Sequence, residues 1–439
     1  MTSSRAAFRC MRCATSVPLD EPVYECRACG GLLEVAHEPA FLASRSAAEW
    51  RELFASRPAG VPGPHGSGVW RFAEWVLPDL PTDDIVTLGE GNTPLVRAER
   101  LSAALGIDLL VKQCGQSLSG SFKDLGMTVL VSQVAHLRRR GAPIPAVACA
   151  STGDTSAALA AYGAAAGLRT LVLLPRGKVS AAQLVQPLAH GARVIVIDTD
   201  FDGCMAHVQR LCEQDGVYLA NSKNSLRIEG QKTLAFELAL ALGDEAPDWV
   251  AIPGGNLGNV SALVAGFAML RAAGLIARLP RVLCVQAELA NPLARSFAHG
   301  FAPLEALVAG PTQASAIRIG NPVSFDKAVA ALRLTNGVVD SASEAELCAA
   351  ARRADESGLY VCPHTAVALV GVEKQRRAGV IAAGARVVVV ATAHGLKFTE
   401  FKVASAADSV PSVHLGGARA PIEVPDRFEA VRDAALRAA

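Results

Sequence analysis

Lys123 stands directly after the turn Ser119-Gly120-Ser121-Phe122, and an apolar helical pattern follows it: Leu125, Met127, Val129, Leu130, Val131 and Val134. This places the amine at a loop-to-helix junction. Two effects there disfavour its cation: the positive end of the helix dipole and desolvation, which lowers a lysine pKa. A neutral lysine amine is a nucleophile that forms a Schiff base with an aldehyde. Taken alone, the residue reads more readily as an ordinary surface lysine after a turn.

The stretches that follow short apolar runs decide between these readings. In open α/β sheets, ligands bind beyond the carboxyl ends of the strands. Ser151, Thr152, Gly153, Asp154, Thr155 and Ser156 follow the run Val147–Ala150 and open an Ala-rich helix. Hydroxyls and free N–H groups at a helix start suit a carboxylate. A simple helix cap needs one such residue, and here six polar or glycine positions stand in a row. Pro253, Gly254, Gly255, Asn256, Leu257, Gly258 and Asn259 follow Val250–Ile252. Three glycines and two asparagines let several N–H groups converge, as in a phosphate cradle. The segment lacks the Lys-Ser/Thr of a Walker loop and the dinucleotide G-x-G-x-x-G, so a small phosphorylated cofactor fits better than a nucleotide. Thr392 follows Val387–Ala391, where its hydroxyl can meet a heteroaromatic nitrogen; His394 and Lys397 nearby read equally as local structure. Asn221, Ser222, Lys223, Asn224, Ser225 and Arg227 mix amides, hydroxyls and cations, and arginine grips phosphate through a planar fork. The bland reading of that cluster is a solvated loop. A Schiff-base lysine, a phosphate cradle, a carboxylate site and an acceptor for a ring nitrogen are together what pyridoxal phosphate needs to act on an amino acid. The second cationic cluster suggests a substrate with its own phosphate.

Four more residues carry chemistry of another kind. Cys10 and Cys13, then Cys26 and Cys29, form two C-x-x-C knuckles. Four thiolates at this spacing can hold one tetrahedral zinc, with no open position for substrate. The expected role is structural, and the surrounding glutamates give no basic footprint for nucleic acid.

The elements that must position these groups are legible as alternation. Apolar runs at Leu109–Val111, Val147–Ala150, Leu171–Leu174, Val194–Ile197, Val250–Ile252, Val282–Val285 and Val387–Ala391 read as buried parallel strands between helices, an α/β architecture. Residues 47 to 57 predict a short amphipathic helix, 58 to 68 a connector, and 425 to 439 a terminal helix. Trp70, Phe72 and Trp75 suggest an arm packed on the body of the protein or on a partner subunit.

Composition narrows the class. The 439 residues are 51% hydrophobic and 19% charged, with 42 basic and 41 acidic side chains. This suits a large core, argues against disorder, and gives no field aimed at nucleic acid or membrane. The mean hydropathy is +0.29, yet no uninterrupted apolar run reaches the ~18–20 residues of a spanning helix. No secretory pattern precedes Cys10, and most of the eleven cysteines lie in apolar contexts that suit a reducing compartment. A soluble cytoplasmic protein is expected.

S-G-S-F-K-D-L-G-M, C-A-S-T-G-D-T-S-A-A-L, P-G-G-N-L-G-N-V and T-A-H-G-L-K, with E-G-N-T-P-L at Glu90–Leu95, L-V-Q-P at Leu184–Pro187, D-T-D-F-D-G-C-M at Asp198–Met205 and N-S-L-R-I-E-G-Q-K-T at Asn224–Thr233, resemble the threonine synthases, plant-type branch, within the fold-type II pyridoxal-phosphate enzymes. The resemblance runs from about residue 85 to about residue 402. It implies a tryptophan synthase β-like fold, with two open α/β domains and the cofactor between them. With the N-terminal stretches added, the chain divides into a zinc-ribbon-like segment at 1–40, a helix and arm at 41–84, a large cofactor-binding domain from 85–114 and 221–439, and a smaller one at 115–220. The resemblance also implies roles. Lys123 forms the Schiff base and shuttles protons. Gly255, Asn256, Leu257, Gly258 and Asn259 hold the cofactor phosphate, Thr392 faces the pyridine nitrogen, and Asp154 lies near the phenolic oxygen. Ser151, Thr152 and Thr155 bind the substrate carboxylate; Asn221, Ser222 and Arg227 bind its phosphate. The implied reaction turns O-phospho-L-homoserine and water into L-threonine and phosphate, in a homodimer with the Trp70–Trp75 arm as a candidate contact. Two features depart from the pattern. Many relatives have Asn at the position of Asp154, where a carboxylate repels a phenolate unless a proton is shared. The N-terminal region, through which the plant branch is activated by S-adenosylmethionine, here carries the cysteine knuckles.

Two other readings compete. A fold-type II dehydratase or sulfhydrylase shares the lysine and the loops but has no use for the Asn221–Arg227 cluster. A catalytically silent scaffold that binds a partner through its N-terminal segment has no use for an intact Lys123 and cradle.

Overall fold

The computed structural model describes all residues except 1–3, 152, 178–180, 244, 420 and 437–439, and, of 181–183, the backbone alone. Thr152 therefore lies outside the described residues. Three sheets organise the chain. An antiparallel ribbon of β1 (Ala6–Cys10), β2 (Ser16–Val17) and β3 (Leu33–His37) comes first. β4 (Leu95–Arg97) and β5 (Asp108–Gln113) belong to a six-stranded sheet, and β6 (Val147–Ala150), β7 (Thr170–Pro175), β8 (Arg193–Ile197) and β9 (Tyr218–Leu219) form a separate four-stranded one. β10 (Trp249–Pro253), β11 (Arg281–Ala287), β12 (Val338–Ala342) and β13 (Arg386–Ala391) complete the larger sheet, in the order β12-β11-β10-β13-β5-β4.

All seven apolar runs are strands. They lack a period of two because both faces of the large sheet are covered. Val250 and Ile252 feed one core while Ala251 feeds another on the opposite face. Two details differ from expectation. β4 pairs antiparallel with β5, so the large sheet is mixed. β8 is the edge strand of its sheet, with Val196 half exposed.

The helix expected at 47–57 runs over Ala47–Ala55, capped by Ser46 and Glu49 in a reciprocal capping box. Its Trp50 and Phe54 meet the arm. Trp75 is fully buried, with ring centroids 5.4 Å from Trp50, 5.0 Å from Phe54 and 5.2 Å from Phe236, and Trp70 donates its indole N–H to Thr128 Oγ1 at 2.7 Å. The arm is thus core of its own chain, and its tryptophans are not available to a partner subunit. Trp75→Ala should cost about 3–5 kcal/mol, read as a lower denaturant midpoint. An unchanged midpoint would mean that the aromatic cluster is not what holds the arm. The terminal helix runs over Phe428–Leu436 and buries no residue.

One contact brings the two halves of the site together. The helix Lys123–Arg139 crosses the short helix Leu226–Gln231. A side chain at Gly126 would sit 2.5 Å from the Arg227 carbonyl, and one at Gly230 would sit 1.7 Å from that of Leu125. Only paired glycines allow this approach, and it sets Arg227 beside Lys123.

Candidate active site

Lys123 is the first residue of its helix. Asp124, buried behind it, accepts hydrogen bonds from Ser117 Oγ at 2.7 Å and from the Ser119 N–H at 2.8 Å, and a further one from Ser119 Oγ, which shapes the turn. The turn is also clasped to the end of β13: Phe122 N–H donates to the Thr392 carbonyl at 2.9 Å, and His394 N–H to that of Gly120 at 2.9 Å. Lys123 keeps some surface toward the cleft, but protein surrounds its amine, which stands 4.4 Å from the Phe122 ring centroid. Burial first, and the Arg227 cation second, pull its pKa down to about 7, against the opposing pull of Asp154. A large fraction of the amine is therefore free near neutral pH.

The cleft around it is lined by Asp154, Ser222, Arg227, the segment from Gly255 to Asn259, and Thr392. The glycine-rich segment links β10 to the helix Gly258–Ala272. Leu257 holds φ +66°, a left-handed conformation that costs a non-glycine residue roughly 1–2 kcal/mol; its fully buried side chain keeps it there. A Cβ on Gly255 would lie 3.1 Å from Ile317 Cγ2. Asn259 Nδ2 donates to the Pro253 carbonyl at 2.7 Å, and the Asn256 carbonyl accepts from Ser324 N–H at 3.1 Å. The N–H groups of residues 255 to 259 meet no acceptor among the described residues. A helix start with free N–H groups is an anion site, and this one fits a phosphate.

Arg227 is buried and donates to the Ala220 carbonyl and to Thr155 Oγ1, each at 3.1 Å. Its Nε has no partner among the described residues. Burial lowers its pKa to about 10, so it remains a cation at neutral pH. A second anion site thus lines the same cleft as the first. Thr155 steadies Arg227. Asn221 receives the Ala150 N–H at 2.9 Å and donates to the Ala150 carbonyl at 2.8 Å, tying the Asn221–Arg227 segment to the end of β6. Ser151 Oγ accepts from Gly153 N–H at 3.3 Å.

A family profile described as "Pyridoxal-phosphate dependent enzyme" matches residues 86–393. The chain is 50% identical over 421 residues to threonine synthase 2, chloroplastic, of Arabidopsis thaliana, covering 95% of this chain and 81% of that one. This chain belongs to the threonine synthase family. It is 38% identical over 394 residues to the threonine synthase of Methanocaldococcus jannaschii, covering 89% and 92% of the two chains. The Escherichia coli threonine synthase structure superposes with a TM-score of 0.70 at 21% identity over 98% and 99% of the chains. A threonine deaminase from Solanum lycopersicum reaches 0.62 at 21% identity over 78% and 98%. The fold is therefore the α/β fold of fold-type II pyridoxal-phosphate enzymes. That fold serves several reactions, so the side chains must choose among them.

The geometry places residues that sequence reasoning left open or missed. Lys397, unresolved between local and functional roles, forms an ion pair with Asp154 at 3.3 Å and also donates to the Ser119 carbonyl at 2.7 Å and to Gln186 Oε1 at 2.8 Å. A cation beside Asp154 offsets the negative charge of this carboxylate in the cleft. His394 is local structure: its Nδ1 accepts from Leu396 N–H at 3.1 Å. Cys362 and His364 were missed. His364 lines the cleft and accepts the Ala316 N–H at 3.0 Å. Cys362 Sγ lies 3.1 Å from Thr365 Oγ1 and 3.8 Å from Thr392 Oγ1. Burial raises its pKa, but His364 and the bonds with Thr365 outweigh burial and pull it down to about 7. Cys362 and His364 stand at the start of the helix Pro363–Arg377, which follows an irregular segment and not a strand of either large sheet, so a search of strand ends passes over them.

A pH dependence follows. Lys123 must be neutral to attack an aldehyde, so the uptake rate of pyridoxal phosphate by the apoprotein should rise through about pH 7 and then level off. In Lys397→Met, Asp154 loses its partner and acts on Lys123 undiminished, so the midpoint should move to higher pH. Stopped-flow absorbance reads both; an ordinary lysine would keep accelerating toward its usual ~10.4.

Proposed function

We propose that this chain converts O-phospho-L-homoserine and water into L-threonine and phosphate. The observation that carries the proposal is the buried Arg227, its Nε without a partner among the described residues, lining the same cleft as Lys123 and the glycine-rich cradle. One anion site suffices for a cofactor phosphate; the second matches a substrate phosphate.

Pyridoxal phosphate, when bound, supplies an electron-poor ring that takes up the electron pair of a broken C–H bond. The cradle from Gly255 to Asn259 would hold its phosphate and Thr392 would meet its ring nitrogen. Lys123 would hold the cofactor through its amine before substrate binds, and that amine, once free, would take the proton from the substrate Cα. Ser151, Thr152 and Thr155 hold the substrate carboxylate on this reading, while Arg227 and Ser222 hold its phosphate. A proton leaves Cβ, phosphate departs from Cγ, and Cγ and Cα each gain a proton as a water oxygen bonds at Cβ. The Lys123 amine would be the group that takes the product's place as it leaves.

The four cysteines are proposed as a structural zinc site. Their Sγ atoms all lie within 4.8 Å of one another, with Cys10–Cys29 and Cys13–Cys26 at 3.5 Å, and all are free thiols. That donor set suits zinc. A cytoplasmic homodimer is proposed on the resemblance and the sequence alone. Among the described residues no helix is long and apolar enough to cross a membrane.

The test is product analysis with purified protein, pyridoxal phosphate and O-phosphohomoserine, with and without S-adenosylmethionine. Threonine and phosphate should appear one to one. Ketobutyrate from threonine or pyruvate from serine, with no phosphate release, would transfer the chain to the dehydratases.

A further inference from the structure

The N-terminal ribbon lies against the segment that carries the second anion site, and it does so through polar contacts along the whole of that segment. Tyr24 Oη accepts the Leu219 N–H at 2.9 Å, and its ring packs edge-on against Tyr218 with centroids 5.5 Å apart. Glu25, next to Cys26, pairs with Lys223 at 2.8 Å. His37 Nε2 lies 2.9 Å from Glu229 Oε2 and 2.9 Å from Lys232 Nζ, and these two residues also pair with each other, all three buried from solvent. Between these contacts sits the Leu33 carbonyl. It accepts from Ser225 Oγ and from Lys327 Nζ, which uses both of its lone pairs. Ser225 is two residues before Arg227. Lys327 is three residues after Ser324, whose N–H holds the Asn256 carbonyl of the cradle. Leu33 itself is paired in the ribbon ladder with Cys10.

The ladder thus runs from a cysteine of the cluster to one carbonyl that touches the supports of both anion sites. Structural support alone would be served by apolar packing. Here, ion pairs and hydrogen bonds from Tyr24, Glu25, Leu33 and His37 fall within 219–232, the residues that flank Ser222 and Arg227. Bonds of this kind fix register and orientation, where apolar contacts tolerate sliding.

We propose that the four-cysteine ribbon is a positioning module for substrate phosphate: closed around its cysteines, it holds Ser222 and Arg227 in the geometry that grips the phosphate of the substrate. This rests on the assignment of Arg227 to that phosphate. Tyr24 and Glu25 are its positioning residues. The ribbon lies outside the cleft and touches no reacting atom, so its effect should appear in substrate affinity and not in the chemical step.

The experiment uses the full-length holoenzyme. Tyr24→Phe and Glu25→Gln are mild changes at sites that leave the core intact, and the double variant combines them. Inorganic phosphate is titrated calorimetrically, kcat and KM for O-phosphohomoserine are measured, and the cofactor absorbance spectrum is recorded. The double variant should bind phosphate about three- to tenfold more weakly, as the loss of one or two hydrogen bonds implies. KM should rise in step, with kcat and the spectrum unchanged. Removing metal from the wild-type protein with a chelator should have the same effect, and added zinc should reverse it. Phosphate affinity equal to wild type in the double variant overturns the proposal while leaving the function intact. A parallel fall in kcat and cofactor content overturns it as well, since that marks a merely structural role. Failure of the wild-type holoenzyme to bind phosphate overturns the assignment of Arg227 itself.

Discussion

Lys123→Ala should abolish threonine formation. A positioned general base is typically worth about 10²–10⁴-fold in rate, and this residue also makes the covalent bond to the cofactor, so a drop of about 10⁴-fold or more is expected. Borohydride reduction should no longer fix the cofactor to the chain. The fold should survive, because the turn is shaped by Asp124 and by backbone bonds to Thr392 and His394, not by the amine. A folded Lys123→Ala protein that still makes threonine at the wild-type rate would sink the assignment of this lysine.

Arg227→Gln should strike the substrate and spare the cofactor. Truncating one partner of a buried charged contact costs about 2–5 kcal/mol, on the order of thirtyfold to a few thousandfold in kcat/KM. The cofactor spectrum should stay, because the cradle at 255–259 lies on another loop. Arg227→Lys should recover little, since an ammonium lacks the planar fork and cannot reach the Ala220 carbonyl and Thr155 Oγ1 together. Steady-state kinetics with O-phosphohomoserine check this. A loss of pyridoxal phosphate with no change in KM would instead move Arg227 to the cofactor.

Much of this site was legible because chemistry collects at the carboxyl ends of apolar runs. The Ser151 and Gly254 loops and Thr392 each follow a strand that its own valines and isoleucines announce. Lys123 was legible through the turn before it. What stayed hidden depends on packing between distant segments. Nothing around Lys397 points to Asp154, roughly 240 residues earlier; only the folded chain pairs them. Gly126 and Gly230 read as helix blemishes until the two helices are seen to cross at those positions. The Trp70–Trp75 arm had two possible destinations by composition, and burial against Trp50, Phe54 and Phe236 settled which. β9 and β12 were too short or too polar to register as strands, yet β9 borders the segment that carries Ser222 and Arg227.

The clasp between the Lys123 turn and the Thr392 loop bears on how the protein is made. These two residues are separated by about 270 positions. At about 5–20 residues per second, a ribosome would deliver the lysine some tens of seconds before the threonine. During that interval the nascent chain carries its nucleophile without the backbone partners that shape it. Capture of the cofactor in its working pose is thus an event of completed synthesis, and any product truncated before β13 would be unable to achieve it.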